Sequence, residues 1–135
     1  MQTSSETVRL MMRLGYWSVW HGLYTEAAAL FSGTQAARPQ SEIPIIGMAV
    51  LSMAMNRPEY AVQILREQAL PLNPQSDLVS AHLGCALRVA GQEDEGLQIL
   101  RQIAISSTDQ NARQMAQNLE TKAAEQLKPL LSKIL

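Results

Sequence analysis

The chain holds one cysteine and one phenylalanine among 135 residues, and its charges nearly cancel, 11 lysines and arginines against 12 aspartates and glutamates. Each shortage excludes something. A lone Cys85 closes no internal disulfide, which suits a reducing cytosol better than an oxidising compartment. A net charge of −1 projects no field toward nucleic acid or anionic lipid. Long apolar runs are missing too. The most apolar stretch, 43–55, is interrupted by Pro44, Gly47 and Ser52 and is too short to span a bilayer. The start, 1–6, is polar and lacks a basic segment followed by an apolar one. Aromatics make up only 4%, and no strongly β-branched run is present, so the aliphatic, Ala and Met content favours helices. The expectation is one all-α domain over 1–135, soluble and cytoplasmic, with no membrane insertion and no nucleic-acid partner.

Catalytic patterns are equally scarce. Gly15, Gly22 and Gly33 have the wrong spacing for a phosphate loop and no following lysine. His21 precedes Gly22 at a helix end, where an imidazole caps carbonyls. His82 has Cys85 at i+3 and no further ligand at metal spacing. Glu93, Asp94 and Glu95 follow Gly91 at a helix start, where carboxylates complement the dipole. The sequence therefore predicts no catalytic residue, no metal, no cofactor and no enzyme.

What is present is a spaced set that returns. Leu83, Gly84, Gly91, Glu95 and Leu100 lie 69 residues after Leu14, Gly15, Gly22, Glu26 and Phe31. Tyr60-Ala61 and Leu65 lie 34 residues after Glu26-Ala27 and Phe31. That period holds two short helices and two turns. Serines at 4 or 5, 41 and 76 stand where helix caps are needed. Gly22, Asn56 and Gly91 stand where the chain must turn with positive φ. Pro39 stops one helix, Pro58 opens another, and Pro71 with Pro74 ends it. After Asp109, the residues Ala112, Met115, Ala116, Leu119, Ala123, Leu127 and Leu131 keep one apolar stripe. They predict a capping helix over about 109–128, with Pro129 breaking it before a short tail, 129–135.

These residues resemble the tetratricopeptide (TPR) repeat. The first unit reads Leu14-Gly15, Gly22-Leu23-Tyr24, Glu26-Ala27, Phe31 and Pro39; the third reads Leu83-Gly84, Gly91, Glu95-Gly96 and Leu100. The second departs most, with Met48-Ala49, Asn56 and a late Pro74. The resemblance implies three helix-turn-helix repeats, over about 8–40, 42–75 and 77–108, stacked as an α-solenoid. In that family the first helix of each pair lines a concave groove. Carried over by position, the groove residues are Arg9, Met12, Tyr16, Val19 and Trp20; Ile43, Ile46, Val50, Met53 and Ala54; and Leu78, Ala81, Cys85, Arg88 and Val89. The set is mostly apolar and lacks the Lys and Asn with which some family members clamp a carboxylate. It suits an amphipathic helix laid in by its apolar stripe. Closure of the groove by the chain's own terminal helix, or by a second copy, is the alternative. Trp17, on the outer side of the first helix, is a second candidate contact.

Size, the isolated array, the apolar groove and the capping helix make the chain similar to the small TPR chaperones of bacterial type III secretion, particularly those that hold the needle subunit. That resemblance implies a virulence-associated, cytoplasmic protein-transport chaperone. Its groove masks a polymerisation-prone helix of a small secretion subunit, a small helical co-chaperone packs on the first repeat, and the product is a hetero-oligomer. An adaptor joining two stable proteins, or a translocator-type secretion chaperone, are the competing readings.

Overall fold

A computed structural model of the chain describes residues 3–123 and 125–127. The described residues are all-α, with no strand. Helix α1 spans Ser5–Trp20, α2 Tyr24–Ala37, α3 Ile43–Ala54 and α4 Pro58–Ile64. A π-helical turn, Leu65–Ala69, and a short α5, Leu70–Leu72, continue α4 without a break. Then come α6, Asp77–Val89, α7, Glu93–Ser106, and α8, Gln110–Glu120.

The helix starts follow from local chemistry. Ser4 Oγ accepts the Thr7 amide at 3.2 Å, and Ser76 Oγ accepts that of Val79 at 3.1 Å. Asp109 accepts two, from Asn111 and Ala112. Each side chain satisfies an amide that has no intrahelical carbonyl. At α3 the capping residue is Glu42, while Ser41 Oγ accepts from Ile43 N, and Pro44 sits in the first turn.

The turns show the sequence repeat as geometry. Gly22, Asn56 and Gly91 have φ of 72°, 62° and 94°, and they lie 34 and 35 residues apart. At each the amide of the next residue reaches five back: Leu23 N to Ser18 O, Arg57 N to Ser52 O and Gln92 N to Leu87 O, all at 2.8 Å. This is one C-terminal cap used three times.

The π turn was not expected from the sequence. Pro71 has no N–H, so the carbonyl four residues before it loses its helical partner. The register slips locally, and the Leu70 amide bonds Leu65 O instead.

Consecutive helices pack on each other, and α1, α3, α6 and α8 also meet in turn. Phe31, fully buried on α2, fills the first interface. A Cβ added at Gly15 of α1 or Gly47 of α3 would strike its ring. Further on, Gly84 and Gly96 let α6 and α7 approach until a Cβ on Gly96 would stand 2.6 Å from Gly84 O. Ala112, Met115, Ala116 and Leu119 are buried on α8, as the stripe predicts. That helix ends at Glu120, earlier than the expected 128, and a further helical turn at 125–127 carries buried Leu127. Pro129 and Leu131 lie outside the described residues.

Candidate protein-binding surface

The fourteen residues expected to carry partner contacts divide three ways. Arg9, Trp20 and Ile43 are exposed; Tyr16, Leu78 and Val89 are half-buried, as is the neighbouring Ala54. Met12, Val19, Ile46, Val50, Met53, Ala81, Cys85 and Arg88 are buried in the chain itself. The cause is helix-to-helix packing. Met12, Val19 and Val50 share a core cluster with Phe31, whereas Ile46 and Met53 share another with Ala81, Cys85, Leu119 and Leu127. The inner side of α3 is thus divided between α1 and α6.

Tyr16 meets the Phe31 ring edge-on, centroids 5.3 Å apart, and burial pushes its phenol up to about 12. It is held as a packing group. Arg88 is also occupied. Its Nε and Nη2 donate to Glu93 Oε1 at 2.9 and 2.6 Å, Nη1 to Leu119 O at 2.7 Å and Nη2 to Lys122 O at 2.6 Å. The guanidinium therefore caps the C-terminal end of α8 and ties it to α6. On the third unit, the chain's own terminal helix covers what the sequence reading assigns to a partner.

The two histidines and the cysteine have structural surroundings. His82 is buried, its Nδ1–H donates to Leu78 O at 2.8 Å, and desolvation holds its pKa below the usual imidazole value. Burial pushes the Cys85 thiol up to about 12, against an opposing pull from Arg88, so little thiolate forms at neutral pH. His21 is the residue that ends α1; its Nδ1–H donates to Trp17 O at 2.8 Å and its ring stacks on the Trp17 indole at 4.0 Å. Among the described residues no three metal-ligating side chains cluster, and no helix is long and apolar enough to cross a membrane.

Of the exposed large apolar side chains, Met55, Tyr60 and Ile105 stand apart, and the other six lie on α1, in the turn after it and at the start of α3. Leu10, Leu14 and Trp17 form a stripe on α1 at i, i+4, i+7, and Trp17 keeps 48% of its surface open. Trp20 and Leu23 follow at the C-terminal end of α1 and in the turn after it, and Ile43 opens α3 beside the N-terminal half of α1. Sequence reasoning placed only Trp17, Trp20 and Ile43 of these among partner contacts. Leu14 was assigned to packing, and Leu10 and Leu23 were not singled out. A signal existed: Leu10, Leu14 and Trp17 stand at helical spacing on the side of α1 away from the returning Gly15.

Between the α1 face that carries Ser5, Val8 and Met12 and the connection from α2 to α3 lies a cavity of about 450 Å³, with Val8, Met12 and Ile43 in its wall and Arg9, Arg13 and Arg38 around it. Arg38 is fixed by donating from Nη1 to Ala37 O and from Nη2 to Thr3 O, at 2.9 and 2.8 Å. A second cavity, along α7, is lined by residues of that helix alone and gathers no reactive cluster.

Comparison with protein-family models and with known proteins finds no match for this chain.

Proposed function

We propose that this chain is a non-enzymatic cytoplasmic chaperone that captures an amphipathic helix of a small secretion subunit. By the resemblance stated above, the client is of the type III needle class, and its masked helix cannot template polymerisation. Three turns of one geometry, repeated at 34 and 35 residues, support the TPR-like solenoid on which this reading rests. The observation that carries it is the crowding of exposed Leu10, Leu14, Trp17, Trp20, Leu23 and Ile43 at the α1 end of a chain whose other helices bury most of their large apolar groups. An exposed apolar patch of this kind marks a docking surface. Trp at its centre is a frequent anchor.

The capture surface in this reading is the exposed part of the expected groove, Arg9, Trp20 and Ile43. Apolar burial at about 25 cal/mol per Å² drives binding, offset by ordering of the client. Trp17, with Leu10 and Leu14, lies beside this surface on α1 and suits a second helical partner, making a hetero-oligomer.

Co-expression with a needle-like subunit tests this. The wild-type chain is expected to hold the subunit soluble in a one-to-one complex. Trp20→Asp with Ile43→Asp, both at exposed positions, should abolish co-purification while the helical circular dichroism persists. Val50 and Met53 are unsuitable probes, since both are buried and an aspartate there would act through the fold. Undiminished binding by the double variant would remove the capture surface. A subunit fully soluble without this chain would favour the adaptor reading.

A further inference from the structure

The cavity beside α1 gathers three arginines and no acid among its described lining residues. Arg9 and Arg13 stand one turn apart on α1, and Arg38 completes the ring from the end of α2. Among the described residues no Asp or Glu lines the cavity. Neither Arg9 nor Arg13 makes a hydrogen bond or ion pair with any described residue, and Arg38 donates only to carbonyls. Elsewhere Arg66 pairs with Glu95 and Arg88 with Glu93, whereas Arg57, Arg101 and Arg113 form no ion pair with a described residue. Glu42, beside the rim in sequence, is engaged by Asn73 Nδ2 at 3.2 Å. Three guanidiniums around one pocket repel each other unless an anion sits among them.

The wall of the cavity specifies more than charge. Val8, Met12 and Ile43 are apolar, and Met12 is buried. About 450 Å³ is the size of a pocket for a ligand of several side chains, larger than one inorganic anion needs. We propose that this pocket binds an acidic peptide segment, taking carboxylates on Arg9, Arg13 and Arg38 and the neighbouring apolar side chain against Met12 and Ile43. The inference rests on the helix-capture reading, because Arg9 and Ile43 belong to both surfaces. It adds that the captured helix carries glutamates or aspartates at one end, which fix its direction in the groove. Guanidinium–carboxylate bonds supply that specificity through paired, charge-assisted geometry. An anionic bilayer is disfavoured as occupant by the overall charge of −1.

The test uses the full chain and two synthetic amphipathic helical peptides with the same Leu and Ala stripe, one ending in a run of Glu, the other in Gln. Fluorescence anisotropy is expected to give the Glu peptide roughly tenfold tighter binding at low salt, an advantage that shrinks at high salt. Arg9→Gln with Arg13→Gln, on the solvent side of α1, should equalise the two peptides without changing the melting temperature. Equal affinity for both peptides in the wild-type chain overturns the acidic-segment pocket and leaves helix capture standing. Failure of both peptides to bind overturns both readings. Inorganic phosphate that removes the Glu advantage at concentrations matching peptide affinity, or arginine-dependent binding to phosphatidylserine vesicles in place of peptide, also overturns the proposal.

Discussion

Phe31 shows how single residues set the geometry of this chain. Its ring is fully buried between α1 and α3, and the absence of a side chain at Gly15 and Gly47 makes room for it. A Cβ built on Gly47 stands 2.7 Å from the ring, which cannot retreat because α1 closes the opposite side. Gly47→Ala should therefore destabilise by about 1–3 kcal/mol, despite the better helix propensity of alanine. Urea denaturation measures it, and unchanged or raised stability would show that the ring has space to move. Gly15 was legible in the sequence because it belongs to the returning set. Gly47 was visible only as an interruption of an apolar run, since nothing local says which distant ring will lie on it.

At the scale of elements, punctuation was the most legible feature. Glycine, asparagine, serine and proline act within a few residues of themselves, so the caps at Ser4 and Ser76 and the turns at Gly22, Asn56 and Gly91 could be named from the chain alone. The end of α8 could not. Its stripe continues in the sequence, but the Leu119 and Lys122 carbonyls accept hydrogen bonds from Arg88, 31 and 34 residues earlier. A tertiary donor ends this helix where no proline or glycine does. Arg88→Met keeps most of the packing volume while leaving those carbonyls and the buried Glu93 edge without a donor. A loss of about 2–3 kcal/mol is expected, with hydrogen exchange accelerating first at the C-terminal half of α8. Exchange unchanged there would mean that apolar packing alone holds the helix.

For the whole molecule, the decisive asymmetry lies between its two ends. The α6–α7 end is covered by α8 through Ala112, Met115, Ala116 and Leu119, whereas the outer side of α1 keeps Leu10, Leu14 and Trp17 exposed. A chain cut after Thr108 would open a second apolar end. It should melt at lower temperature and self-associate in light scattering, while the full chain does not. A truncated chain that stays monomeric with an unchanged melting curve would show that α8 contributes little to covering the core. The same asymmetry explains the fate of the expected groove residues. Ala81, Cys85 and Arg88 on the third unit are buried with α8 beside them, whereas Arg9 and Trp20 on α1 stay exposed.

Period, caps and turn residues are short-range properties, so the sequence by itself determined that this protein is helical, where most helices begin and turn, and which stripe of α8 is buried. Which inward-facing side chains stay open to a partner was decided only in three dimensions. Burial depends on what other segments bring alongside, and here α1, α3, α6 and α8 enclose Val50, Met53, Cys85 and Arg88 while leaving Trp20, Ile43 and an unpaired arginine pocket at one end.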